Sequence, residues 1–485
     1  MRISRRAMLA GLAAGATFPL HAEAPLTSPR PIVRAFGRQS GEATVARAQM
    51  DGMVSFLVAD AETGEVLDAV SPDLSRPPAS VAKAATAGYA LETLGPEHRF
   101  VTRLLGTGPI ENGVLKGDLI LEGGADPLLQ TIHLAEMVAA LKAQGVSRID
   151  GRVLAADGAL KQIFEIDTSQ ADHLGYNPSI SGLNLNFNRV HFEWKLENGD
   201  YSVAVDARGG DFTPAVDTTT VRVIDRNEPV YTYRDTGRGD AWTVARGQLN
   251  DFGSRWLPVR YPALYAGEVL VELARAAGLS LPEAERSEGV PAEARELTRY
   301  TGEPLPEVLQ SMLRYSTNIT AEIAGLWATK TATGDLAGLR LSGLAMSRWW
   351  EARAGVSPYF ADHSGLSDLS RVTAREMVEM LRAPGMPDQL FPILKPIAVL
   401  DRQGNAVKGK EDAIRAKTGT LNFVSGLAGY VTGSDGRRKV FASFAADLDA
   451  RAVGEASGEV RPRGSADFNR RAINLHQALL RPYVL

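Results

Sequence analysis

Lysine is scarce in this chain, 11 of its 53 basic residues, so a lysine that stands in a chemical pattern is easy to find. Only Lys83 has a serine three residues before it, in Ser80-Val81-Ala82-Lys83. On a helix, residues i and i+3 share a face. A serine hydroxyl is a weak nucleophile until a base takes its proton, and a lysine kept neutral by desolvation can be that base. A helix N-terminus adds unpaired backbone N–H groups and a field that favours developing negative charge. Together these describe acyl transfer through a serine ester. Alone the pattern is weak, with about 0.6 chance matches expected. Two others follow it, Ser316-Thr317-Asn318 and Lys417-Thr418-Gly419-Thr420, each present once. Lys-Thr-Gly arises by chance in roughly one such chain in fifteen, so the ordered triple is far more specific than any member. Read singly, each has a plainer explanation: Ser80 as a helix N-cap, Lys83 as a solvated helix residue, Ser316 as the cap of a helix starting near Ile319.

The elements that must hold these residues can be read around them. Pro77-Pro78 precedes an Ala-rich helical pattern over 79–94 that Gly95-Pro96 stops. Upstream, apolar runs at 53–59 and 66–69 flank Glu62-Thr63-Gly64 as a hairpin. Ser316-Thr317-Asn318 lies between helical patterns at 306–315 and 319–331, and Lys417 opens a strand-like stretch. Runs at 422–431 and 439–446, joined by Gly433-Ser434-Asp435-Gly436, should pair antiparallel. The chain closes on an amphipathic helix, 467–480, with Phe468, Ala472, Ile473, Leu475 and Leu479 available to pack on that sheet. From 97 to 260 the character changes to short alternating runs and turns, such as 190–196 with 201–205, and 219–223. A helical pattern returns at 262–277. The economical reading is an α/β domain carrying a strand-rich insertion.

Composition narrows the chemistry further. The 485 residues suffice for several domains, and 44% hydrophobic with 23% charged residues is ordinary globular usage. A formal charge of -4 argues against nucleic acid as a partner. Cysteine is absent, which removes disulfides, thiolate catalysis and Cys-ligated metals. The seven His (His21, His98, His133, His173, His191, His363, His476) show no metal-ligand spacing. No cofactor or metal is implied. Residues 1–24 read as a signal peptide: Arg2, Arg5 and Arg6, an apolar stretch, then Ala22-Glu23-Ala24 as a cleavage site. Ser4-Arg5-Arg6-Ala7-Met8-Leu9 resembles the twin-arginine (Tat) signal. The expectation is a periplasmic protein cleaved near Ala24, with no transmembrane anchor in the mature chain.

The ordered motifs resemble the penicillin-recognising serine acyl transferases. More narrowly, the chain resembles the class C low-molecular-mass penicillin-binding proteins, the D-alanyl-D-alanine carboxypeptidase/endopeptidase family of penicillin-binding protein 4, peptidase family S13. The narrower resemblance rests on the 236-residue separation of Ser80 and Ser316 and on Pro78-Ala79-Ser80, the stretch 111–119, Gly124-Ala125-Asp126-Pro127 and Ser364-Gly365-Leu366-Ser367. It departs at His363, where the family often has Gly, and in 164–181, which lacks the family's Trp.

The resemblance implies a penicillin-recognising transferase fold, an antiparallel sheet flanked by helices, with a transpeptidase-like catalytic domain (25–96 plus 261–485) and a strand-rich insertion (97–260) forming one or two extra domains. It implies Ser80 as nucleophile, Lys83 as base, Ser316 as proton relay, and Asn318 as the group that holds the substrate amide and orients Lys83. Lys417 would supply positive charge that also disfavours protonation of Lys83, and Thr418 and Thr420, spaced by Gly419, would bind the terminal carboxylate. The backbone N–H groups of Ser80 and Thr420 would form the oxyanion hole. Asp126 and Asp362 read as turn residues. The implied partners are peptidoglycan stem peptides and β-lactam inhibitors. The rival readings are a serine β-lactamase or esterase of the same fold, and a catalytically silent peptidoglycan-binding protein.

Overall fold

The computed structural model describes residues 40–334 and 338–485. The signal-peptide expectation for 1–24 lies outside the described residues. At the centre is a five-stranded antiparallel sheet in the order Ile414–Leu421, Val424–Thr432, Arg438–Ala446, Val54–Asp60, Val66–Val70. Its inner strands are buried on both faces and mostly apolar, each interrupted by one buried serine, Ser425, Ser443 and Ser55. The two-residue alternation is still visible in where each side chain goes. Leu57, Ala59, Val440, Ala442 and Phe444 enter one core, and Phe56, Val58, Phe441 and Ala445 enter the other. Both hairpins expected from sequence are present. In the first, the Asp60 carboxylate accepts the amides of Glu62 and Thr63 and so fixes the turn.

One sheet face carries the closing helix, which extends over Ser465–Val484, and the short helix Gly41–Arg47. Phe468, Ala472, Leu475 and Leu479 pack there as expected, but Ile473 is 49% exposed, turned off the apolar stripe. The other face carries a helical layer built around Ala82–Leu94, which packs on Asn318–Thr333 and, less extensively, on Leu305–Tyr315. Residues 82–91 of that central helix are all buried. Its alanines follow from this position, since a helix covered on every side needs small residues. At Gly88 an added Cβ would stand 2.9 Å from Met386 Sδ and 3.0 Å from the Trp350 ring.

The strand-rich region holds a five-stranded mixed sheet and smaller three-stranded ones, including Asp200–Asp206, Arg189–Glu197 and Phe252–Pro258. It also contains a helix, Thr131–Ala143, whose buried face joins the core of these strands. Its pairing does not stop at residue 260, where the sequence places the end of the insertion. Ala284–Ser287 pairs with Val153–Ala156, and Arg295–Thr301 with Val101–Gly106. The helix Pro262–Ala276 buries its apolar side in the same core. A pattern of elements shows their type but not which core they join, so the helical character of 262–276 drew the boundary too early. Among the described residues no helix is long and apolar enough to cross a membrane.

Candidate functional site

Ser80 sits in a single 3-10 turn, Ala79–Val81, immediately before the helix Ala82–Leu94. The residue before it, Ala79, holds φ at +46°, a conformation costly for a side chain with a Cβ and sustained here by close packing. Ser80 does not act as a cap: its Oγ lies 3.0 Å from Lys83 Nζ. Nor is Lys83 a solvated helix residue, since it is wholly buried. Its Nζ donates to Asn318 Oδ1 and to the Ser364 carbonyl, both at 2.8 Å. A neutral amine has two hydrogens and one lone pair. With two fixed acceptors taking the hydrogens, the lone pair is left for the Ser80 hydroxyl.

Asn318 is delivered by a sharp junction. The helix Leu305–Tyr315 ends on Ser316 in the left-handed conformation (φ 60°, ψ 35°), and the next helix begins at Asn318 with Thr317 as its N-cap. Ser316 is therefore not the cap of that helix. It is half-buried and, among the described residues, makes no hydrogen bond to Ser80 or Lys83. The Asn318 amide group donates in turn to the Tyr176 carbonyl at 2.9 Å, so a loop of the strand-rich region reaches the site. That loop is tied down by the buried Arg260, whose guanidinium donates to the carbonyls of Phe164, Asp172 and Asn177.

The strand Ile414–Leu421 lies along the turn that carries Ser80. Gly419 makes this approach possible: an added Cβ would stand 2.7 Å from Pro78 O, 3.0 Å from Val81 N and 3.1 Å from Ala79 Cβ. Strand alternation puts Thr418 and Thr420 on the opposite side from Lys417 and Gly419. Thr418 is half-buried and Thr420 exposed, while Lys417 is buried and its Nζ donates to the Thr418 carbonyl at 2.7 Å.

Desolvation dominates the electrostatics of both amines, Lys83 and Lys417. Burial pulls Lys83 down to about 8, against the opposing charges of Glu322 and Asp362, neither of which was foreseen as a neighbour of the amine. Burial, with the charges of Lys83 and Lys395, pulls Lys417 down to about 6. At neutral pH the buried Lys417 is therefore poorly able to hold a proton, and desolvation is the largest cause acting on both amines.

Glu322 lies one turn after Asn318 on the same helix, is fully buried, and accepts the amides of His363 (2.9 Å) and Ser364 (2.8 Å). Its affinity for a proton is raised by burial and by the Asp362 charge. Asp362 is the turn residue expected, accepting from the Gly365 and Ser367 amides, and is buried as well. His363 is a core residue. Its Nε2 stands 2.7 Å from Ser342 Oγ, its ring fills the space left by Gly325, and burial holds it down to about 3. A lone glutamate among the apolar residues of 319–328 is the one sequence signal that marked position 322. Among the described residues no group of three or more acidic or His side chains could hold a metal ion.

The sequence profile of the D-Ala-D-Ala carboxypeptidase 3 (S13) family matches residues 41–460. The chain belongs to that family. The resemblance drawn from the motifs is borne out, and with membership comes the enzyme class, a serine D-Ala-D-Ala carboxypeptidase. Among curated relatives, the D-alanyl-D-alanine carboxypeptidase DacB of Haemophilus influenzae is 25% identical over 428 residues, covering 82% of this chain and 85% of the relative. The D-alanyl-D-alanine carboxypeptidase of Actinomadura sp. strain R39 is 28% identical over 439 residues, covering 82% and 79%. The crystal structure of penicillin-binding protein 4 from Haemophilus influenzae superposes with a TM-score of 0.71 at 22% identity, covering 92% of this chain and all of that one. The likeness shows the fold: the penicillin-recognising architecture with additional strand-rich domains is the one expected from sequence.

Proposed function

We propose that this chain is an exported serine DD-peptidase that acts on peptidoglycan stem peptides through an acyl-Ser80 intermediate. The observation that carries the reading is the three-point setting of Lys83 Nζ, buried between Asn318 Oδ1, the Ser364 carbonyl and Ser80 Oγ. In this reading Lys83 takes the Ser80 proton as Oγ attacks the carbonyl of the penultimate D-Ala. The C–N bond breaks, and the proton passes through the Ser316 hydroxyl to the departing D-Ala amine. The N–H groups of Ser80 and Thr420 hold the oxyanion. Thr418 and Thr420 receive the terminal carboxylate, with Lys417 as the cation behind them. Water then hydrolyses the ester.

Penicillins carry a carboxylate beside their strained amide and enter the same path, leaving a covalent Ser80 ester. The two carboxylates nearest Lys83 are buried and committed to backbone amides. Neither is placed to activate a deacylating water, which favours a persistent penicillin adduct over β-lactamase turnover. Periplasmic action after Tat-type export and cleavage near Ala24 completes the proposal, with the strand-rich insertion contacting the larger, glycan-bearing parts of the substrate.

The test uses purified muropeptides. Mature protein should convert pentapeptides to tetrapeptides and cross-linked dimers to monomers, with both activities lost in Ser80→Ala. Activity on pentapeptides alone removes the endopeptidase half. Inactivity on both, with penicillin rapidly hydrolysed, replaces the reading with the β-lactamase one.

A further inference from the structure

Lys83 is aimed by two acceptors, and one helix face sets both of them. Asn318 Oδ1 reaches the amine directly. The second acceptor, the Ser364 carbonyl, belongs to a loop that would be free to move were it not anchored. Its amides at His363 and Ser364 are held by the two oxygens of Glu322, one helical turn beyond Asn318. On the Lys83 side, Thr86 Oγ1 donates to the His363 carbonyl at 2.7 Å, one turn along from Lys83 on its own helix. The loop is thereby clamped between the helix that bears the base and the helix that bears Asn318. Within the loop, Asp362 closes the turn through the Gly365 and Ser367 amides. Gly365, at φ +73°, lies so close to the Ala79 carbonyl that a Cβ there would stand 1.8 Å from it. The clamped loop therefore abuts the turn of Ser80 as well as the amine of Lys83.

We propose that Glu322 is a positioning residue for acylation: by gripping the amides of His363 and Ser364 it fixes the carbonyl that, together with Asn318 Oδ1, points the Lys83 lone pair at Ser80 Oγ. The inference rests on the acyl-serine reading and deepens it. Glu322 touches neither the nucleophile nor a substrate. It acts through the loop and, where it is ionised, through a charge that opposes the desolvation of Lys83 and favours the protonated amine.

The charged and titratable groups around Lys83 come from four elements. They are Glu322 on the Asn318–Thr333 helix, Asp362 and His363 on the loop, Lys417 on the strand, and Asp167 of the strand-rich region, whose charge reaches Asp362. His363 stays neutral and is a spectator.

The second-order rate of labelling by a fluorescent penicillin, measured from pH 5 to 10, tests this. Glu322→Gln keeps the size but offers an NH2 to one of two amide donors, so one anchor becomes a donor facing a donor. The plateau rate should fall by about 10- to 100-fold, as for a base displaced by a fraction of an ångström to an ångström. Its acid limb should also move to lower pH, because Glu322 ionises over the same interval as Lys83 and there favours the protonated amine, a charge that Gln cannot carry. A Glu322→Gln protein whose plateau falls while its limb stays in place shows only general damage to packing and overturns the proposal. Glu322→Asp keeps the charge and withdraws the carboxylate, so its plateau should fall while its limb stays.

A folded Glu322→Gln protein with the wild-type plateau and limb overturns the proposal. So does Glu322→Asp at the wild-type plateau, whether or not the Gln variant folds. Wild-type label mapped to Ser80 keeps the two readings apart: its absence refutes the acyl-serine mechanism, whereas labelled wild type with indifferent Glu322 variants refutes only the positioning role.

Discussion

Substituting Gly419 by alanine adds one methyl group at the point where the Ile414–Leu421 strand meets the turn of Ser80. The three nearest atoms would be Pro78 O at 2.7 Å, Val81 N at 3.0 Å and Ala79 Cβ at 3.1 Å. Ordinary contact of a Cβ begins at 3.4 Å, so the methyl is too close by roughly 0.3 to 0.7 Å. None of the three can yield by rotating, because each is backbone or a Cβ attached to it. The strand and the turn must separate by about half an ångström. Overpacking of this kind costs about 1 to 3 kcal/mol of stability, which a domain of this size survives. Half an ångström is also about the tolerance of a catalytic constellation, and displacement of up to an ångström can cost about 100-fold in rate.

Gly419→Ala should therefore remain folded and lose about 10- to 100-fold in the second-order rate of penicillin acylation. The loss should be greater for penicillin than for its methyl ester, since Thr418 and Thr420 move away with the strand. Stopped-flow or gel-based labelling kinetics measure both. A Gly419→Ala protein that acylates at the wild-type rate would refute the argument that this contact sets the distance between strand and nucleophile.

Two further outcomes follow from buried groups. Lys417 is held down to about 6, so binding a carboxylate-terminated D-Ala-D-Ala peptide to Ser80→Ala protein at pH 7 should take up about one proton from solvent as the amine becomes charged. Calorimetry in buffers of different ionisation enthalpy reads this uptake, and none observed would contradict it. His476 is buried between Ser443 Oγ and Ser425 Oγ and is held down to about 4 by burial. Its folded value lies below the unfolded one, so between them the unfolded chain binds more protons, and stability falls as pH drops through about 6.5. Between pH 7 and pH 5 this residue alone should remove about 2 kcal/mol. The difference in urea stability between wild type and His476→Gln should shrink by that amount over the interval, and a constant difference would refute it.

What the sequence made legible was local. Ser80 and Lys83 sit three apart, and the helix that carries Lys83 is read from the Ala-rich pattern that follows Pro77-Pro78. Ser316, Asn318 and Lys417 carry recognisable neighbours, and the strands around Gly433-Ser434-Asp435-Gly436 follow from the turn. Proximity across the chain was not legible. Glu322, Ser364 and Tyr176 meet the site from separate segments, and none lies in a short pattern that chemistry alone would single out. The extent to which burial governs Lys417 was illegible for the same reason. Two lysines in two motifs look like two positive charges until burial is known, and burial lowers both. The extent of the strand-rich region was misjudged because residues 262–276 are helical in type, while their apolar side faces the core of the insertion.

The central claim is that Ser80 is the atom donor of a covalent acyl-enzyme and that Lys83 makes it so. Intact-protein mass spectrometry after penicillin treatment, followed by peptide mapping, tests this most directly in wild type and Lys83→Ala side by side. Wild type should gain the mass of one penicillin, located on the peptide that contains Ser80. Lys83→Ala, folded by circular dichroism, should gain it slower by about 100- to 10,000-fold, the contribution of a positioned base. An adduct at Ser316, no adduct on wild type, or a Lys83→Ala protein modified at the wild-type rate would contradict the account.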